Sequence, residues 1–131
     1  MTTGALKFIG DAIDSAGIPY EFMEYTSPVN SVQTYWVGEY TEETAMFEDG
    51  MQGTQFILTG TTKGSWLNLE QQKEQIRKLF PEIGGRTAIL DNGSGIAVFY
   101  GNAFPVPTGE EFLKRLQINL IVKEWKVAKH G

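Results

Sequence analysis

The sequence predicts a single α+β domain, residues 1–131, built as a mixed, mainly antiparallel sheet of about five to six strands with two main helices packed on it. Three observations predict it. Apolar residues recur at helical spacing in only two stretches, one at the N-terminus and one mid-chain. Runs rich in β-branched and aromatic residues fill most of the remainder. Glycine-rich turns separate several of those runs at hairpin distance. With 131 residues and 41% hydrophobic content, the chain is long enough for a sizeable core.

Gly4–Ala16 reads as a helix: Leu6, Ile9, Ile13 and Ala16 share a face, Thr2 or Thr3 can cap its start, and Gly17 can stop it. Ile18–Tyr25 follows as a first strand, with Pro19 at its beginning, where a missing N–H is tolerated. Val32–Glu42 is a long second strand with Val32, Thr34, Trp36, Gly38 and Tyr40 on one face. Met46–Gly53 connects it to the next strand as a loop or hairpin.

Gln55–Thr61 is a buried strand, and with the glycines and helix that follow it forms the unit expected to nucleate the core. Asn68, three residues before Gln71, marks the N-cap of a capping box, with Ser65 as the other candidate cap. Leu69, Ile76, Leu79 and Phe80 give the second helix its apolar stripe, and Pro81 with Gly84-Gly85 ends it. Arg86–Leu90 and Ile96–Tyr100 form a hairpin across Asp91-Asn92-Gly93-Ser94-Gly95. Gly101–Gly109 reads as irregular, with Pro105 and Pro107 forcing extended backbone. The last element starts near Phe112; alternation from Leu116 makes Leu116–Val127 a long strand, with a bulge or two-sided end near Trp125. The expected core contains Trp36, Phe56, Leu58, Ile76, Leu79, Ile118 and Leu120.

Composition excludes several function classes. No cysteine is present, so disulfides, thiolate metal sites and cysteine nucleophiles are ruled out, in keeping with an intracellular setting. No apolar run approaches a membrane span, and no signal peptide is expected. The net charge of −5 is unevenly spread. Seven acids and no base lie between Glu21 and Asp49, whereas Lys114, Arg115, Lys123, Lys126 and Lys129 oppose only Glu124 at the other end. A dominant basic face is absent, which argues against sequence-specific nucleic-acid binding.

Chemistry-bearing patterns are few. Gly60 and Lys63-Gly64 suggest a phosphate loop, but the lysine precedes the last glycine and the spacing is short. Asp91–Gly95 opens like a calcium loop, yet hydrophobic strand residues follow where a bidentate glutamate is required. Asp11 and Asp14 form a helical acid pair without a third ligand. The only histidine, His130, lies one residue from the end. Tyr35, Trp36 and Tyr40 could form a stacking platform, but aromatic strand residues are more often core. No cofactor or metal is expected, and the chain reads as non-catalytic. The candidate interface comprises Met46, Phe47, Glu48, Asp49 and Met51, an apolar and acidic segment expected to order at a subunit contact, together with Lys123 and Lys126.

The segment Tyr35-Trp36-Val37-Gly38-Glu39-Tyr40, the strand Phe56-Ile57-Leu58-Thr59-Gly60 leading into Trp66 and the Leu69–Phe80 helix, and the closing Leu116–Val122 strand carry a resemblance. In element order and size the chain resembles the tail-terminator and tail-completion proteins of long-tailed bacteriophages, and other neck or head–tail joining proteins. The resemblance implies a mixed α/β sandwich, a homo-oligomeric ring (a hexamer by family) and contacts with tail-tube or head-connector proteins. It implies a place in the virion, or in the host cytoplasm during assembly. No individual functional residue carries over. The expected function is therefore a structural phage or prophage component, tail terminator, minor tail or neck protein. The alternative is a small ligand- or peptide-binding module without catalysis, using Tyr35–Tyr40.

Overall fold

Helix α1 (Thr3–Ser15) begins where Thr2, in extended backbone, accepts a hydrogen bond from the Ala5 N–H at 3.1 Å. It ends where Gly17, at φ 74°, turns the chain and donates to the Asp14 carbonyl. Both ends agree with the sequence expectation. This computed structural model describes residues 1–24, 34–46 and 52–126.

Among the described residues the remaining elements are β1 (Tyr20–Phe22), β2 (Thr34–Met46), β3 (Gln52–Thr62), α2 (Trp66–Leu79), β4 (Arg86–Ile89), β5 (Ser94–Val106) and β6 (Lys114–Lys126). The strands form one six-stranded sheet in the order β1-β2-β3-β6-β5-β4. Only β1 and β2 pair in parallel; every other pair is antiparallel. The α+β class with two helices and a mixed, mainly antiparallel sheet is thus the observed fold.

The core lies between one face of the sheet and both helices. Alternate residues Trp36, then Phe56 and Leu58, then Leu116, Ile118, Leu120 and Val122 point to it, and Ile96, Val98 and Tyr100 close it from β5. Ala5, Ile9, Ala12 and Ile13 of α1, with Leu69 and Ile76 of α2 and Phe80 just after it, cover them. Glycine is required opposite the largest ring: a β-carbon at Gly60 would lie 2.7 Å from three ring carbons of Trp36. The Trp36 indole N–H donates to the Gln72 side chain at 2.7 Å, which fixes α2 over β2. The Thr34 and Thr62 hydroxyls bond each other at 2.8 Å in the same buried layer.

Several boundaries differ from expectation, each for a physical reason. The first strand is shorter than Ile18–Tyr25: Ile18 is buried but unpaired in the ladder, and the strand stops at Phe22 because Met23 takes a φ of 71°. The second strand runs on to Met46, across an irregularity between Glu42 and Met46. Ser65, not Asn68, is the N-cap of α2; Asn68 is already inside the helix, its N–H donating to the Ser65 carbonyl. Leu79 is only half-buried and packs at the rim of the core.

The largest difference is Gly101–Val106, which is strand rather than irregular backbone. A one-residue bulge at Gly101 separates the pairs Tyr100↔Leu120 and Asn102↔Asn119, after which the ladder resumes to Val106↔Arg115. Pro105 is tolerated because β5 has no strand on its outer side beyond Val98. Of the bulge or two-sided end expected near Trp125, the bulge is absent, because the β5–β6 ladder runs in register through Trp125; the end is two-sided, with Glu124 buried on one face and Trp125 over Gly95 on the other.

Candidate assembly surface

The candidate residues at the β2–β3 connection separate into two groups. Met46 ends β2 and pairs with Gln52. Phe47, Glu48, Asp49 and Met51 lie outside the described residues, as does His130. Of the basic pair, Lys126 ends β6, paired with Ser94, and Lys123 projects from the sheet face opposite the helices, its ammonium 5.4 Å from the centre of the Phe99 ring.

That face carries no covering element among the described residues. It presents Ile57, Phe99, Ile121 and Phe104 among polar groups, with Ile121 and Phe104 exposed at 46% and 43%. The polar groups are tied together across and along the strands. Asn119 donates to Asn102 at 2.8 Å, Gln117 donates to Asn119 at 3.0 Å, and the Arg115 Nε donates to the Thr61 hydroxyl at 3.4 Å. Antiparallel sheets are stable with one wet face, so this surface needs no partner to fold.

The strand order gives the charges a direction that linear sequence does not. β1 and β2 carry Glu21, Glu39, Glu42 and Glu43; β3 and β5 carry no charge; β6 carries Lys114, Arg115, Lys123 and Lys126 against Glu124, and β4 carries Arg86. Crossing the sheet from β1 to β4 therefore passes from acid to base. Two of the acids are held internally: Glu42 pairs with the Met1 ammonium, and Glu124, buried, accepts from the Thr2 hydroxyl at 2.6 Å. On α1, Lys7 pairs with Asp11 at 2.5 Å, so the Asp11–Asp14 pair is not a free carboxylate site; Arg77 of α2 pairs with Glu82, in the turn beyond that helix, at 2.5 Å.

The sheet edges are short and unlike each other. β1 is three residues long and is followed by exposed Met23 (62%), beside Phe22, whose ring stacks on Tyr40 at 6.1 Å between centroids. β4 is four residues long, with Ile89 exposed at 66%, and Ile83 in the preceding turn is 93% exposed.

Trp36 is fully buried, which removes it from any aromatic platform and places it in the core, as its residue type favours. A groove of about 540 Å³ lies instead between the end of α1 and α2, bordered by Asn68, Gln71, Gln72 and Gln75. Nothing in the periodicity of α2 marked this groove, because glutamines on a polar helix face read as solvated surface. Tyr20, packed nearby under β2, has its phenol pushed well above the usual range by burial first and by the Asp14 carboxylate second.

No protein-family model matches the chain. No curated protein matches it either. Among solved structures, one whose name states no function superposes with a TM-score of 0.68 at 14% sequence identity, covering 96% of this chain and 94% of its own. At that identity the likeness concerns the fold, and it extends over nearly the whole domain.

Proposed function

We propose that this protein is a structural component of a bacteriophage or prophage particle, a tail-terminator, minor tail or neck protein that assembles as a ring with copies of itself. The observation that carries the reading is the lateral charge gradient of the sheet. Acid on the β1–β2 side and base on the β6–β4 side give each subunit two unlike, complementary flanks. A ring requires such a heterologous contact, in which one patch meets a different patch on the next copy. Complementary charge mainly orients association, since exposed pairs contribute about 0–1 kcal/mol each; apolar contacts supply most of the affinity. The element order that resembles tail-completion proteins supports the same reading, and tail-tube or head-connector proteins are its proposed further partners.

The test is sedimentation or light scattering across salt concentrations, for the parent chain and for the Lys123→Glu, Lys126→Glu double variant. The expected result is assembly of the parent at low salt, with weaker assembly and a flatter salt dependence in the variant. A parent that stays monomeric at high protein concentration and low salt would overturn the proposal, as would a variant that assembles equally well. A strictly monomeric chain would favour a second reading, a peptide-binding module using the amide-lined groove between α1 and α2, whose Asn68 and glutamine side chains offer both donors and acceptors to an extended backbone.

A further inference from the structure

We infer that the sheet continues from one copy of this chain into the next, the β4 edge of one subunit docking against the β1 edge of its neighbour. The inference rests on the self-assembly reading above and names its contact. Three observations carry it.

The first is direction. β1 is parallel to β2, and four successive antiparallel pairings lead from β2 through β3, β6 and β5 to β4. β1 and β4 therefore run the same way, and two copies placed side by side in the same orientation bring those edges together as a parallel pair. The second is chemistry. The β1 edge presents Phe22 on the helix side of the sheet, with exposed Met23 and Glu24 just beyond the end of the strand. The β4 edge presents Arg86 on the helix side of the sheet and Ile89 on the other, with Ile83 just before it. Glu24 at the end of β1 is opposite in charge to Arg86 of β4, and both ends carry exposed apolar side chains, so unlike edges are better matched than two like ones, which would bring acid to acid or base to base.

The third is Met23. It is the only non-glycine residue at positive φ among the described residues, and its side chain is largely exposed. A long unbranched side chain in left-handed backbone is uncommon and costs free energy, so such outliers gather where a surface is used. Its N–H donates to the Gly38 carbonyl at 2.8 Å, which holds the strained turn at the end of β1. Edges of three and four residues are too short to associate by backbone pairing alone. Docking therefore depends on Met23, Phe22, Ile89 and Ile83, and an unrelated strand cannot use these edges readily.

The absence of cysteine makes the test direct. Met23→Cys and Ile89→Cys are prepared separately in the full chain, with Lys78→Cys on the exposed face of α2 as a control, and oxidised alone and as mixtures. Mixing Met23→Cys with Ile89→Cys should give a disulfide-linked pair several-fold faster than either variant alone or either mixed with the control. A chain carrying both should give a ladder that closes. Arg86→Glu should reduce assembly, and adding Glu24→Lys should restore it. Light scattering on the same samples separates the two proposals. Oligomers that form without the mixed cross-link, or variants that cross-link fastest with themselves, would overturn the edge contact while leaving self-assembly in place. A monomer under all conditions would overturn both.

Discussion

Ile118 sits at the middle of β6 with no exposed surface, between Leu58 of β3 and Ala103 of β5. Truncating it to alanine leaves a cavity that a six-stranded sheet cannot close, and chemical denaturation should show a loss of about 2–5 kcal/mol. Leu79, half-buried at the rim, should lose clearly less when truncated, because water can enter the space vacated. Equal losses at the two sites would contradict this placement. Tyr20 gives a residue-level signature in pH. Its pKa is raised by burial from the ordinary value of about 10. The folded state thus holds the phenolic proton more tightly than the unfolded state does. The resulting stability is complete below pH of about 10 and is lost as pH rises through the higher folded value. Alkaline unfolding curves should accordingly flatten in Tyr20→Phe, and a variant as alkali-sensitive as the parent would show that Tyr20 is not the group responsible.

At the scale of elements, α2 is held by packing more than by its own ends. Its cap residue Ser65 makes no side-chain bond, and no acid stands in its first turn. Ser65→Asp supplies both a capping acceptor and a favourable charge at the helix N-terminus, and should raise the thermal midpoint by the equivalent of about 0.5–1 kcal/mol. No gain in a thermal melt would mean that the first turn is already satisfied in solution. The same helix shows what the sequence could and could not specify. The stripe Leu69–Ile76–Phe80 was legible because its spacing is set by the helix itself. The cap is ambiguous in the sequence because Asn68 and Gln71 match a capping box just as Ser65 matches a plain cap, and the helix starts one turn earlier than the box would place it. Strand lengths failed for a related reason. Gly101 and Pro105 are local signals for a break, but pairing with β6 overrides both.

For the molecule as a whole, class, helix count and core were readable because periodicity reports which residues face inward. Strand order was not, since it depends on which strands meet and not on any one of them. That order turns a segregated sequence into a charge gradient and leaves β1 and β4 as unlike ends. Lys123 and Lys126 stand out in the sequence as basic residues; their position on an interior strand, with Lys123 on the open face above Phe99, follows from the strand order and not from composition. The edge residues Met23, Ile83 and Ile89 were missed altogether. Isolated apolar residues near turns are common, and no signal in the linear chain distinguishes them.

The bulge at Gly101 makes the chain tolerant of a change in length at one point. Because two residues there occupy the space of one on β6, Tyr100 and Ala103 both reach the core side while Asn102 and Phe104 stay outside. Removing Gly101 would heal the ladder and leave every later residue on its present face. Removing Phe99, two positions earlier, would instead turn Tyr100 to the outside and leave Gly101 in its place opposite Leu120, emptying part of the core. A purified Gly101 deletion should keep a cooperative melt near that of the parent, and a Phe99 deletion should melt clearly lower; equal midpoints would contradict this reading of the bulge. In genetic terms Gly101 is a spare letter whose loss does not shift the frame in which strand β5 is read.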